Sequence, residues 1–352
     1  MIVVGETGAV TESASFATGF ERLAWHRLLF RLRCRETAHL PPFLGSTLRG
    51  AFGRALRWLS CSPRVKDCTT CPIRKRCAYL YIFETPIEPG TSPVPGINNA
   101  PHPFVIVPPA HHPGPWRPGE IMECELILVG KAIDHLPRIV LAFDWIADTG
   151  LGASRKRFEL EEVWSVNPRG PKTLCLLKEK RRFQADPEPW SLEDLPGGVS
   201  KPQAIELRFV SPVQLKSKGA AVSAASFPAL AKALFRRVAA LAHFHSDLDL
   251  PIDFRDVSRR AWEAGTVWDE MERVVVPRYS SRQSRKIDQH GWVGSAAFFG
   301  SDLASFMPLV LLGEVFGVGK GASWGMGRYR WSALRVEPLH ASETAFAVEG
   351  GR

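Results

Sequence analysis

Long apolar runs are missing from this sequence: nothing in its 352 residues approaches the roughly 18 consecutive apolar positions that a membrane helix needs. Met1 to Phe30 also lacks the basic, apolar, small-residue order of a secretory leader. No membrane partner and a cytoplasmic location are therefore expected. Acidic residues are the minority, 36 Asp+Glu against 45 Lys+Arg, and the formal charge is +9 with histidines neutral. Such an excess points to a polyanionic partner, because neutralising phosphates releases counterions without any sequence readout. An even cysteine framework is absent too. Seven cysteines, four of them crowded between Cys61 and Cys77, argue for metal binding over disulfides. Apolar and aromatic residues are plentiful at 45% and 10%, which excludes a disordered polymer and provides cores for about two domains.

The ends, 1–20 and 337–352, are small and polar, and predict loosely ordered termini. Leu28, Leu29, Phe30 and Leu32 lie between arginines and predict a strand. Gly45, Ser46 and Thr47 offer N-cap chemistry to a helix on which Leu48, Phe52, Leu56 and Leu59 recur at helical spacing. Prolines crowd Glu84 to Pro118 and exclude a long helix there. Ile121–Val129 predicts a strand, Pro137–Asp148 an amphipathic helix and Phe158–Val166 a further strand. The Pro- and Gly-rich stretch from Asp186 to Lys201 predicts a linker. It separates an N-terminal domain, 21–190, from a C-terminal domain, 201–336. The first carries a four-cysteine insertion at about 60–80 and the proline-rich loop at 84–118. In the second, Ile205–Phe209, Glu272–Ser280, Gly291–Phe299 and Gly327–Val336 predict strands, and Phe227–Phe244 and Phe306–Phe316 predict helices. Strand, helix, strands, helix, strand occurs twice. The expected fold class is therefore α+β, two tandem ferredoxin-like (RRM-like) domains with a four-cysteine metal-binding insertion.

Two motifs carry chemistry. Cys61-x6-Cys68-x2-Cys71-x5-Cys77 supplies four thiolates, a complete tetrahedral set for zinc, with an iron-sulfur cluster as the alternative. Four sulfurs leave no open position, so the expected role is structural. Arg64, Lys66, Arg74, Lys75 and Arg76 lie among them, placed to offset thiolate charge or to meet phosphates. The second motif runs from Gly317 to Arg328, with five glycines in eleven residues. Such a loop lets a backbone approach a ligand and leaves N–H groups for phosphate oxygens, with Lys320 and Arg328 adding charge. It is not a Walker loop, because Gly-x4-Gly-Lys-[Ser/Thr] is absent, and Gly317-x-Gly319-x-x-Ala322 is not a dinucleotide fingerprint, since it follows an apolar helix and leads into a strand. A basic strip of Arg278, Arg282, Arg285 and Lys286, with Gln283, is suited to an RNA backbone, and Tyr279 or Trp324 is placed to stack a base.

The spacing Gly-x-Gly-x5-Gly-x-Gly after a helix and before a final strand resembles the glycine-rich loop of the RAMP superfamily of CRISPR proteins. Leu48-Arg-Gly-Ala-Phe-Gly53, the four-cysteine insert, Pro101-His-Pro-Phe104, Arg278-Tyr-Ser-Ser-Arg-Gln283 and Gly291-Trp-Val-Gly294 extend the likeness over about residues 25 to 335. Together they resemble the CRISPR repeat-processing endoribonucleases of that superfamily. The resemblance implies a protein that binds repeat RNA in pre-crRNA and cuts it without a metal. In that reaction the ribose 2′-hydroxyl attacks the adjacent phosphate, leaving a 2′,3′-cyclic phosphate and a 5′-hydroxyl. It implies RNA contacts from Arg49, Arg278, Arg282, Gln283, Gly317, Gly319, Lys320, Gly321, Ser323, Gly325, Gly327 and Arg328. The chemistry needs a base, an acid and cations, and histidine suits the first two roles. Members of the family often carry a histidine in or beside the first helix. Here Gly45 to Leu59 has none, and Arg54 follows Gly53, able to stabilise a phosphorane but not to act as a base. His39 is the nearest replacement, followed by His245 of the His243-x-His245 pair and by His290, while His111 and His112 read as surface residues. The alternative is a non-catalytic RNA-binding subunit of a CRISPR effector complex, whose other subunits would then be its partners.

Overall fold

The computed structural model describes residues 18–334 apart from 63–66, 69, 88–89, 95–96, 98, 178–181, 184–186, 196–200, 218–219, 223–225, 252 and 281–284. Alternation along Trp25–Cys34 (β1) turns Leu28, Phe30, Leu32 and Cys34 into a core and Arg27, Arg31 and Arg33 to the opposite face. That strand lies inside a six-stranded antiparallel sheet. The others are Phe104–Val107 (β2), Ile121–Val129 (β3), Phe158–Ser165 (β4), Thr173–Leu177 (β5) and Arg182–Phe183 (β6), in the spatial order β2-β3-β1-β4-β5-β6. Helices Gly45–Ser60 (α1) and Leu136–Thr149 (α2) cover its apolar face, with Phe30 stacked on Phe143 at 4.1 Å and Phe52 set edge-on to Phe104 at 5.3 Å. The expected hydroxyl cap is not used. Leu44 holds the N-cap position of α1 without a side-chain bond, and Gly45 already belongs to the helix.

The other face of this sheet carries a ladder of opposite charges. Arg27 meets Glu125 at 2.9 Å, Arg31 meets Glu162 at 2.6 Å and Glu123 at 3.1 Å, and Arg33 and Arg35 meet Glu161 and Glu159. The Arg-rich flank read from the sequence is thus neutralised across strands.

The second half repeats the plan. Ala204–Val213 (β7) leads through a small hairpin, Leu215–Ser217 (β8) and Ala220–Val222 (β9), into Phe227–Ser246 (α3) and Phe254–Ala261 (α4). A long ribbon, Gly265–Ser280 (β10) with Arg285–Phe299 (β11), then precedes Met307–Phe316 (α5) and Tyr329–Ala333 (β12). The spatial order β10-β11-β7-β12 is that of β2-β3-β1-β4, and both are the order of a ferredoxin-like unit, so the tandem fold is as expected. The ribbon is longer than its apolar pattern suggested, because backbone pairing continues from Gly265↔Phe299 to Ser280↔Arg285 through polar residues. Trp25, Val105, Ile127 and Val129 of the first sheet join the core of the second domain, so apolar packing crosses the seam between the two. No helix among the described residues is long and apolar enough to cross a membrane.

Candidate functional site

The glycine-rich loop is built into that seam. Gly317, Gly319, Gly321, Gly325 and Gly327 all have positive φ, between 64° and 90°. Gly325 brings this loop against Pro108 and the Ile106 carbonyl of the first domain, and a Cβ on Gly45 of α1 would collide with the Trp324 carbonyl. The Trp324 ring sets edge-on to Phe43 at 5.9 Å, and only 8% of the residue is exposed, so it is spent on the seam and not offered to a base. Most loop N–H groups are spent as well. Those of Val318 and Gly327 bond to the carbonyls of Gly327 and Pro212, that of Lys320 to Gln214, those of Trp324 and Met326 to Gly321, and that of Arg328 to the Ser211 hydroxyl. Closing the turn thus takes up most of the loop's donors, and the expected phosphate cradle narrows to the N–H groups outside these bonds. Ser323 is half-buried in the short helical turn of the loop, and burial lowers the pKa of the half-buried Arg328 guanidinium.

Gly319 and the exposed Lys320 open onto a groove of about 1410 Å³. Lys232, Arg236 and Arg237 of α3 line it with Arg255 and Arg259 of α4, Lys216 of β8 and Lys320, and among the described residues no carboxylate does. Arg259 leans on Asp256 at 2.5 Å. Arg237 has no carboxylate: its Nε donates to the Phe316 carbonyl at 3.1 Å, and its Nη2 is buried without a hydrogen-bond partner among the described residues. Burial alone pushes its pKa down to about 10. A desolvated cation with an unused donor at the floor of a cationic groove is a place for an anion. Apart from Lys320, sequence reading missed these residues. The available signals were the i,i+4 pairs Lys232/Arg236 and Arg255/Arg259, each of which puts two cations on one helix face.

Beyond the loop, on the side of Phe43, lies a second recess of about 260 Å³. It is lined by residues 39–42 and Leu44 and by residues 110–112 and 114–116, including His39, His111 and His112, and by none of the glycine loop. His39 is exposed there, and His112 stacks on Trp116 at 3.9 Å. The loop spans the two sites, since Lys320 lines the groove and Trp324 packs on Phe43 and Gly45 beside the recess.

The remaining expected residues separate. His245 is 1% exposed; its Nε2–H donates to the Pro101 carbonyl at 2.7 Å, and Nδ1 faces the Tyr81 hydroxyl at 3.3 Å. Burial pushes its pKa down to about 4, so this histidine is a neutral cross-domain strut, and the catalytic expectation for it is corrected on that ground. Arg49 is held within the first domain: its Nη2 donates to His102 Nε2 at 2.8 Å and its guanidinium lies over Phe83, 4.7 Å from the ring centroid. His102 is stacked between Phe83 and Phe104, and burial with the nearby Arg49 lowers its pKa to about 3. Arg54 is exposed on α1, and His290 is exposed on β11. Arg278 lies in β10 opposite Ile287, but its side chain and those of Tyr279, Arg285 and Lys286 are outside the described residues, as are Arg282 and Gln283 altogether. Cys61, Cys68, Cys71 and Cys77 all line one small cavity.

Comparison with known proteins bears on this arrangement. The family model described as CRISPR-associated endoribonuclease Cas6 matches residues 207–329, and a model described as an N-terminal domain matches 23–188. An uncharacterized protein of Archaeoglobus fulgidus is 26% identical over 315 residues, covering 86% of this chain and 97% of its own. Among solved structures, a product complex of Thermus thermophilus Cas6 superposes with a TM-score of 0.50 at 15% identity, over 87% of this chain and 98% of that one. A partial Cas6-RT-Cas1–Cas2 complex gives 0.50 at 11% identity, over 90% of this chain and 47% of that one. These two likenesses are of fold. The family match takes in α3, α4 and the glycine loop, the elements that build the groove, so that over residues 207–329 the chain is similar to the CRISPR-associated Cas6 endoribonucleases.

Proposed function

We propose that this chain binds the repeat of a CRISPR precursor RNA and cuts it to mature CRISPR RNA. The observation that carries this reading is the groove: among the described residues, seven Lys and Arg side chains line it with no carboxylate, and Arg237 at its floor keeps a buried, unused donor. The sugar-phosphate backbone lies along α3 and α4, crosses the glycine loop at Gly319 and Lys320, and delivers the scissile phosphate to the recess that holds His39. The cut is metal-independent. A base takes the proton of the ribose 2′-hydroxyl, the freed oxygen attacks the adjacent phosphorus, and an acid gives a proton to the departing 5′-oxygen, leaving a 2′,3′-cyclic phosphate and a 5′-hydroxyl. His39 supplies the base, and His111, which lines the same recess, supplies the acid. Arg54, exposed on α1, is a cation available to the phosphorane.

The test is incubation of the protein with its repeat RNA in EDTA, comparing wild type with His39→Ala, His111→Ala and Arg237→Ala. Cyclic-phosphate products that disappear in His39→Ala while RNA is still bound support the reading. The absence of histidine from α1 favours a second reading, an RNA-binding subunit of a CRISPR effector complex that does not cut. Tight binding by every histidine variant and by wild type, with no product from any of them, would establish that second reading instead. Loss of binding in Arg237→Ala, with retention in Arg237→Lys, places a phosphate at the groove floor under either.

A further inference from the structure

The four cysteines of the insertion fall outside the groove and the recess, and the proposed chemistry uses none of them. Cys61 caps the C-terminus of α1, its N–H bonded to the Arg57 carbonyl. Cys68 and Cys71 close a tight turn in which the Cys71 N–H meets the Cys68 carbonyl, the local form of a Cys-x2-Cys knuckle. Cys77 starts the next turn by accepting from the Tyr81 N–H at 3.0 Å. All four line a single cavity of about 10 Å³, together with Arg57 and Arg74. No three of them are drawn together to the spacing of a bound ion among the described residues. Rotation about χ1 carries a sulfur from one staggered position to another, so side chains that line one void can turn toward it without a change of secondary structure.

We propose that Cys61, Cys68, Cys71 and Cys77 hold one zinc ion as four thiolates, and that this knuckle fixes the segment Cys77–Thr85 against the seam between the domains. A Cys-x2-Cys knuckle with two further thiolates is the donor set of a structural zinc site, and an iron–sulfur cluster is the outcome the experiment below would distinguish. Four thiolates around a divalent ion leave two negative charges, and Arg57 and Arg74 line the cavity where those charges arise. The consequence runs through the next turn. Leu80–Glu84 is a wide helical turn that carries Tyr81 to His245 and Phe83 to Arg49 and His102. Of these contacts, Tyr81 with His245 reaches α3 across the seam, and Phe83 with Arg49 and His102 ties the turn to α1 and to the approach to β2 within the first domain. A metal at the root of this turn would hold Tyr81 and Phe83 in place from one end, as the Thr85 hydroxyl does from the other by donating to the Ala100 carbonyl at 2.8 Å.

The experiment is elemental analysis of the full chain purified without added metal, followed by cobalt exchange and by hydrogen exchange with and without a chelator. About one zinc per chain, a sulfur-to-cobalt charge-transfer band typical of tetrahedral thiolates, and selective loss of amide protection over 78–85 on chelation, with α2 unchanged, are expected. Cys68→Ser/Cys71→Ser should lose the metal. If that variant does not fold, the release of one zinc as four thiols are titrated in the wild type answers the same question. Iron with inorganic sulfide, or metal-free protein with four freely reacting thiols, overturns the proposal. Zinc whose removal leaves residues 78–85 protected overturns its second half.

Discussion

Replacing Lys232 and Arg236 together by alanine tests the groove most directly. The two lie one turn apart on α3 and line the groove, and alanine is at least as good a helix former as either, so the exchange removes charge without unfolding the helix. Of the seven cations, Arg259 is engaged with Asp256, leaving five on the rim and Arg237 at the floor to meet phosphates. For single-stranded RNA each neutralised phosphate contributes about −0.7 to the slope of log affinity against log salt, so six predict a slope of about −4.2 and four a slope of about −2.8. Between about 50 and 200 mM salt, wild-type affinity should then fall about 340-fold and that of the double variant about 50-fold. Fluorescence anisotropy with labelled repeat RNA over that range measures both slopes, and a circular dichroism melt confirms the fold. Equal slopes for the two proteins would refute the claim that these side chains contact phosphate. A charge-reversed pair, Lys232→Glu/Arg236→Glu, should steepen the loss at low salt and differ least from wild type at high salt, because screening suppresses repulsion as well as attraction.

Three further outcomes follow from the seam. His245 resists protonation down to about pH 4 in the folded protein, against an ordinary value of 6.5, so the unfolded chain binds the extra proton between those values. Stability therefore falls as pH drops through that window, by up to about 1.4 kcal/mol per pH unit from this residue, and is unaffected by it above pH 7. Urea unfolding at a series of pH values should show a shallower acid limb in His245→Gln, and His102, shifted the same way, accounts for part of what remains. Gly325→Ala combines a positive φ with a clash against Pro108 and should cost about 2 kcal/mol or more, read as a lowered denaturant midpoint. His39→Ala, exposed and outside the seam, should leave both the denaturant midpoint and RNA affinity close to wild type while removing cleavage.

Much of the fold could be read from residue periodicity, and the exceptions have a physical pattern. Ile121–Val129 and Phe158–Ser165 alternate cleanly because one face is buried and the other carries the glutamates of the charge ladder. The helices α1 and α2 declare themselves through buried residues at helical spacing. Elements that owe their form to tertiary contacts do not. The strand β2 is four residues between prolines, and it forms because the β3 edge supplies its partners, Phe104↔Leu128 through Val107↔Glu125. The helix α4 is eight residues with Val257, Arg260 and Ala261 as its buried positions, too short and polar to show a stripe, and it is held by the Asp253 N-cap and by the bidentate pairing of Arg260 with Asp302.

The site was legible in its glycines and illegible in its charge, for reasons that concern partners more than composition. The arginines that alternate along and beside β1, Arg27, Arg31, Arg33 and Arg35, look like a surface for phosphate, yet every one of them is matched by a glutamate brought alongside by strand pairing. Pairing across a sheet is invisible to a linear scan, since the glutamates come from Glu123, Glu125 and residues 159–162. The groove is the converse case. Its cations are scattered from Lys216 to Lys320 and never form a run, but the folding of α3, α4 and the glycine loop around one hollow gathers them while leaving carboxylates out of its lining. On the proposed reading Arg237 is where a phosphate would count most: stripped of water and given one carbonyl acceptor among the described residues, it keeps one donor unsatisfied, and a bound phosphate oxygen is the group that would repay its burial.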